Sequence, residues 1–383
     1  MIIGIVGSGA MGNGIAQVAA TSGHKVVVYD NNAAALEKAK ASTLQTLNKL
    51  QEKGKLANTQ AVFSQYHYTD ELSELAECGL VIEAIIENLE IKKQVFAALE
   101  SIVSETCILA SNTSSLSIAS IAAAVKKAER VIGIHFFNPA PVMALVEIIP
   151  AIQTREGLAE EIKQLMLQWK KAPVLTKDTP GFIVNRLARP FYGEAIKMME
   201  EGLATKEDID VALTSLGGFK MGPFTLTDYI GHDVNYVVTE TVFQSFFYDP
   251  RYRPSFSQKR LLEAGWLGRK SGKGFYNYEN DGPTLSSSLD AARQKEIVER
   301  VLFMLINEAV EALYLNIASA ADLDLAMTKG VNYPKGLLAW CDELGADYVL
   351  AGMDALYHKY HDDRYRASAL LRKYGVEKKK FFN

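Results

Sequence analysis

Apolar residues follow two different rhythms along the chain. Through about the first 150 positions they form short continuous runs, at 2–6, 24–29, 80–86, 107–110, 131–135 and 145–149. Each run has the length of a strand buried on both faces. Helical patterns lie between them: 11–22 places Ile15, Val18 and Ala19 on one face, and 33–53 is a long polar stretch of good helix formers. Strands alternating with helices predict an α/β domain with a doubly wound, mostly parallel sheet. Past Thr179-Pro180-Gly181 the pattern is helical, broken by Gly217-Gly218, Gly222-Pro223 and the glycine-rich 265–274. The main boundary is therefore expected near residue 178. A second is expected in the polar stretch 280–288, giving parts at 1–178, 179–283 and 284–383.

The two all-α parts resemble each other. At a shift of 114 positions Glu194-Ala195 falls on Glu308-Ala309, and Leu203-Ala204-Thr205 on Ile317-Ala318-Ser319. Asp208-Ile209-Asp210 falls on Asp322-Leu323-Asp324, and Gly222-Pro223-Phe224 on Gly336-Leu337-Leu338. Asp228 meets Asp342, and Gly231 with Asp233 meets Gly345 with Asp347. Ungapped agreement in polar as well as apolar positions points to a duplicated helical unit.

Composition narrows the function classes. With 48% apolar and 22% charged residues the chain reads as an average globular protein, and a net charge of −4 invites neither nucleic acid nor an anionic membrane. Lys378-Lys379-Lys380 is a short basic tail of a kind common at solvated ends. Cys78, Cys107 and Cys341 are odd in number and far apart, so neither a disulfide framework nor a zinc or other metal site is expected. No basic segment precedes the first apolar run and none approaches a membrane span, so a cytoplasmic location is expected.

Chemistry enters at the end of the first run. Gly7-Ser8-Gly9-Ala10-Met11-Gly12 follows a predicted strand and opens a predicted helix, the context of a dinucleotide-binding βαβ unit, or Rossmann fold. Gly7 permits the tight turn, Gly9 lets backbone approach a pyrophosphate, and Gly12 lets helix and strand pack. Asp30 closes the second strand, 18 residues after Gly12. A carboxylate there accepts from ribose hydroxyls and repels a 2′-phosphate, and Asn31 and Asn32 supply no opposing charge. NAD is thus the expected cofactor.

Three further segments end predicted strands, where open α/β sheets bind ligands: Ser111–Asn112–Thr113–Ser114–Ser115, His135-Phe136-Phe137-Asn138-Pro139, and Glu147 in an apolar run. A buried carboxylate needs a partner, and His135 is the candidate. A carboxylate on one imidazole nitrogen fixes the tautomer and leaves the other to take a proton near neutral pH. Plainer readings stand beside this one. His135 could be structural, Ser114 could cap a helix near Leu116, Glu87 and Lys92 could be a surface pair, and Lys49 and Lys53 a solvated face.

Together with D-T-P-G-F-I-V-N-R at 178–186 and the 265–278 segment, these motifs resemble the short-chain 3-hydroxyacyl-CoA (3-hydroxybutyryl-CoA) dehydrogenase family, from Met1 to about Tyr278. The resemblance implies a general base at His135 and an orienting carboxylate at Glu147. It also implies hydroxyl and amide groups that hold the substrate's oxygens at Ser114 and Asn185. Cofactor contacts are implied for Gly7, Gly9, Ala10, Met11, Gly12, Asp30, Glu87, Lys92, Asn112 and Asn138, and coenzyme A phosphate contacts for Lys49 and Lys53. The implied reaction is NAD-dependent interconversion of a short (S)-3-hydroxyacyl-CoA and its 3-ketoacyl-CoA. Alternatives are a free hydroxy acid or gulonate-type sugar acid as substrate, or a non-catalytic, crystallin-like NAD-binding protein. A lysine-based hydroxyisobutyrate or phosphogluconate type is disfavoured by H-F-F-N-P. Members with one helical unit dimerise through it. Here the second copy, lacking its own Rossmann domain and the 178–186 segment, is expected to cover the first, so a monomer is favoured over a homodimer.

Overall fold

The computed structural model describes residues 1–279 and 282–382. The chain divides into two compact units, Met1–Phe182 and Ile183–Asn383. The first is built on an eight-stranded sheet: β1 (Ile2–Val6), β2 (Lys25–Tyr29), β3 (Tyr66–Thr69), β4 (Leu80–Glu83), β5 (Ile108–Ser111), β6 (Val131–Phe136), β7 (Leu145–Pro150) and β8 (Ala172–Leu175). Their spatial order is β3-β2-β1-β4-β5-β6-β7-β8, with every neighbouring pair parallel except β6 and β7. The connection 137–144 is too short for a crossover helix, so β7 returns antiparallel. Helices α1 (Ala10–Thr21), α2 (Ala33–Glu52), α3 (Thr59–Phe63), α4 (Leu89–Glu100), α5 (Ile118–Ala122) and α6 (Leu158–Gln168) join the strands. Two apolar cores result, one containing Ile3, Ile15, Val28 and Ile134, the other Val81, Phe96, Leu109 and Ile121.

The strands differ from expectation in three ways. β3 and β8 flank the sheet as edges; the run expected over 80–86 ends at Glu83; and the helix expected near Leu116 starts at Ile118, capped by Ser117 and by Asp178, which accepts from the Ile118 and Ala119 amides. Ser114 therefore does not cap it. Polar side chains set other helix starts: Asn32 accepts from the Ala35 amide and Asn88 from the Ile91 amide.

The second unit is helical: α7 (Val184–Leu187), α8 (Arg189–Glu200), α9 (Lys206–Ser215), α10 (Pro223–Ile230), α11 (His232–Ser245), α12 (Phe256–Glu263), then α13 (Ala291–Tyr314), α14 (Ala320–Gly330), α15 (Leu337–Leu344), α16 (Ala346–Tyr360) and α17 (Ala369–Glu377). Residues 280 and 281 of the linker expected at 280–288 lie outside the described residues, and 282–290 carries no regular element. Displaced by 114, α9, α10 and α11 begin where α14, α15 and α16 begin. Their caps match as well. Asp210 accepts from the Phe224 and Thr225 amides at the start of α10, and Asp324 accepts from the Leu338 and Ala339 amides at the start of α15. A Cβ on Gly222 would lie 2.3 Å from the Asp210 carboxyl carbon, and one on Gly336 2.2 Å from that of Asp324, so both helix starts need glycine.

The two copies pack through reciprocal buried ion pairs. Arg186 Nε donates to Glu308 Oε1 at 2.6 Å, and Arg300 Nε to Glu194 Oε2 at 3.0 Å. Tyr252 and Tyr365 hydroxyls donate to the same two carboxylates. The arginine, glutamate and tyrosine of one cluster have counterparts in the other, as in an isologous interface, while Glu201, which also holds Arg300, has Leu315 in its place. Among the described residues, no helix is long and apolar enough to cross a membrane.

Candidate active site

β1 delivers the chain into the glycine turn at the carboxyl edge of the sheet, where the strand order reverses between β1 and β4. Gly7 has φ +103°, and a Cβ there would meet the Ala84 carbonyl at 2.8 Å. A Cβ on Gly12 would fall 1.8 Å from the Gly7 carbonyl oxygen, so helix and strand can approach only because it is absent. A Cβ on Gly9 would meet nothing within 4 Å, and Gly9 gives α1 no side-chain cap. The first-turn amides, those of Ala10, Met11 and Gly12 among them, are thus offered to an anion. Asp30 ends β2, its Oδ2 accepting from the Ser8 amide and hydroxyl, each at 2.8 Å, and its Oδ1 from the Asn32 amide at 3.0 Å. A cavity of about 470 Å³ opens here, lined by Gly7, Gly9, Asp30, Asn31, Ile85 and Ile91. Open glycine, uncapped helix and a carboxylate in the cavity wall fit a dinucleotide.

The antiparallel register of β6 and β7 sets His135 directly opposite Glu147. Their side chains meet, with Nδ1 and Oε2 2.7 Å apart and both residues buried. An ionised carboxylate only accepts, so the neutral ring carries its proton on Nδ1 and Nε2 is the basic nitrogen. Phe137 and Phe182 rings stand 4.5 and 6.0 Å from the imidazole centroid.

Next along the same edge, Asn112 Oδ1 accepts from the Phe136 amide at 2.8 Å, tying the end of β5 to the histidine strand. Glu87 Oε1 accepts from the Thr113 hydroxyl at 2.6 Å and from the Ser114 and Ser115 amides at 3.0 and 3.2 Å. Burial works to raise the Glu87 carboxyl, but Lys92 beside it and these donors hold it below the usual carboxylate range. Lys92 itself is buried, its Nζ 2.6 Å from Glu83 Oε1 and 3.3 Å from Glu87 Oε2, so the lysine is no surface group although Glu87 is exposed. Asn138 is exposed on the loop after β6, and Lys49 and Lys53 are exposed at the carboxyl end of α2. Asn185 belongs to the other unit, half-buried on α7 among buried neighbours.

Sequence reasoning missed several supports. Glu83 takes the Ser111 hydroxyl at 2.7 Å as well as Lys92. Its signal was available, a lone Glu ending an apolar run as Glu147 interrupts one. Lys171 donates to the Ala140 carbonyl and, at 2.9 Å, to that of Met143, holding the loop that follows Asn138. Burial pulls its amine down to about 8.

Comparison with known proteins gives the family. The family model described as "3-hydroxyacyl-CoA dehydrogenase, NAD binding domain" matches residues 2–179, and "3-hydroxyacyl-CoA dehydrogenase, C-terminal domain" matches 181–278 and 297–381. The chain belongs to the 3-hydroxyacyl-CoA dehydrogenase family and is an NAD-dependent enzyme of that type. It is 37% identical to 3-hydroxyadipyl-CoA dehydrogenase of Escherichia coli K12, over 97% of this chain and 96% of that one. It is 41% identical to human mitochondrial hydroxyacyl-coenzyme A dehydrogenase, over 72% of this chain and 90% of the other. A crystal structure of 3-hydroxybutyryl-CoA dehydrogenase from Escherichia coli superposes with a TM-score of 0.94 at 35% identity, covering 99% of this chain and 98% of that one.

Proposed function

We propose that the protein interconverts a short (S)-3-hydroxyacyl-CoA and the corresponding 3-ketoacyl-CoA, with His135 as the general base. The observation that carries this reading is the His135–Glu147 pair, 2.7 Å apart at the sheet edge that also bears the glycine turn. Bound NAD supplies the hydride acceptor. Nε2 of His135 takes the C3 hydroxyl proton as the C–H bond breaks, and Glu147 stabilises the imidazolium so formed. Ser114 and Asn185 hold the reacting oxygens, so catalysis rests on positioning and fixed dipoles. Asp30, Glu87, Lys92, Asn112 and Asn138 serve the cofactor: Asp30 the adenosine ribose, and Glu87 with Lys92 a charged floor under 111–115. Lys49 and Lys53 meet the phosphates of coenzyme A.

His135→Gln should lower turnover about a hundredfold or more while NADH still binds, read by single-turnover kinetics and a fluorescence titration. Wild-type turnover in that variant would remove His135 as the base.

A second substrate reading comes from the relative matched along almost the whole chain, which is named for 3-hydroxyadipyl-CoA. NADH oxidation with acetoacetyl-CoA, longer ketoacyl-CoAs, 3-ketoadipyl-CoA and the free acids decides between an aliphatic tail and one ending in a carboxylate. Preference for the free acids would defeat both.

We further propose three domains, at 1–178, 179–283 and 284–383, a monomer in solution, and a cytoplasmic location. The reciprocal Arg–Glu pairs support the monomer, since the second copy occupies the face through which a single copy would pair. Light scattering on the purified protein tests it; a stable dimer at low concentration would contradict it.

A further inference from the structure

We infer that Glu308, in the second helical copy, is a positioning residue for the reaction, acting through Arg186 on the short helix that carries Asn185. The inference rests on the reading of Asn185 as a substrate-holding group.

α7 has four residues, Val184–Leu187. It lies between a turn in which Gly181 and Phe182 both have positive φ, +71° and +48°, and the break before Pro190 at the start of α8. One helical turn has no stability of its own in water, so its orientation comes from side chains. One polar anchor is Arg186, buried, with Nε 2.6 Å from Glu308 Oε1 and its guanidinium 5.1 Å from the Phe246 ring centroid. Glu308 is fixed in turn by the Tyr252 hydroxyl and by Arg251 Nη1 at 3.5 Å.

Pseudo-symmetry supplies a control inside the molecule. Glu194 holds Arg300 at 3.0 Å and takes the Tyr365 hydroxyl at 2.8 Å, and Arg300 also donates to both carboxylate oxygens of Glu201, at 2.8 and 3.1 Å. Arg300, however, sits within the 24-residue helix α13, whose own backbone hydrogen bonds hold it. The residue beside it, in the place of Asn185, is Glu299, which accepts from the Tyr348 hydroxyl. The same ion pair therefore steadies both copies but aims a substrate-holding side chain in only one.

The test compares twins in the full-length protein: Glu308→Gln against Glu194→Gln, and the milder Tyr252→Phe against Tyr365→Phe. Both glutamine variants should lower the melting temperature, Glu194→Gln by less, because Arg300 keeps its Glu201 partner. Glu308→Gln should also lower kcat about tenfold, because small misplacements of oriented groups are costly, with NADH affinity unchanged. Glu194→Gln should stay within about twofold of the parent kcat. In an Asn185→Ala background Glu308→Gln should cost little more, since both act on one contact. Equal kcat losses for the twins, no loss in Glu308→Gln, or additive losses in the double variant would each overturn the inference. Should a glutamine variant not fold, the tyrosine pair is judged by the same kcat criterion. Full activity in Asn185→Ala alone would instead refute the reading of Asn185.

Discussion

The two copies of the helical unit share caps, glycines and a reciprocal pair of buried Arg–Glu contacts, yet they part at their first helix. In the first copy Pro180, Gly181 and Pro190 cut the segment into a turn, a four-residue helix and α8. In the second the equivalent stretch runs unbroken through α13, with Met304 in the place of Pro190. The second copy was expected to lack the 178–186 segment. It retains Ile297, Val298 and Arg300, the partners of Ile183, Val184 and Arg186, and differs where the prolines and Asn185 stood. The scaffold residues are shared by both copies, and the breaks around Asn185 are found in the first alone.

Forcing the break onto the second copy should have the largest effect. Met304→Pro would remove a hydrogen bond from the middle of a buried helix, costing about 3 kcal/mol or more, whereas Pro190→Ala in the first turn of α8 should cost under about 1 kcal/mol. Urea titrations of both variants check the contrast, and equal losses would erase it. On the functional side, Asn185→Ala should lower kcat about a hundredfold, and Glu299→Ala should leave it unchanged, by steady-state assay. The shared glycines should behave alike. Gly222→Ala and Gly336→Ala each drive a methyl group into a carboxylate, and each should cost about 1–3 kcal/mol; tolerance at one position alone would mean the two helix starts differ.

The smallest effect is one of pH. Burial raises the carboxyls of Asp210 and Asp324 above the ordinary 3.8. The folded state then binds protons more tightly, so their contribution to stability falls as pH rises from 3.8 through the raised values and is flat beyond. Asp342 adds a like charge beside Asp324, while hydroxyls of Thr225 and Tyr276 favour the Asp210 anion. Asp324→Asn should therefore flatten this acid-side slope more than Asp210→Asn, as measured by unfolding at a series of pH values.

Much of this was legible in the chain. The inner strands announced themselves because both faces are covered and nothing polar interrupts them. The edges did not: β3 reads Tyr-His-Tyr-Thr and β8 contains Pro173, since a strand with one open side can carry polar groups and lose a donor. His135 and Glu147 were legible as types, and their contact needed the antiparallel register that a short connection enforces. Lys92 misled in the other direction. A lysine in the first turns of a helix reads as solvated, and only the neighbouring strand reveals the Glu83 carboxylate that buries it. Lys171 was invisible for a similar reason, because its partners are carbonyls.

The reciprocal ion pairs have a consequence for how the molecule can change. Copies carried on one chain meet intramolecularly, so dilution does not separate them. In a symmetric pair of identical chains every substitution appears twice across the axis. Within one chain each side can vary alone. A glutamate at 299 leaves Asn185 as it is, and the second copy can act as a brace alone.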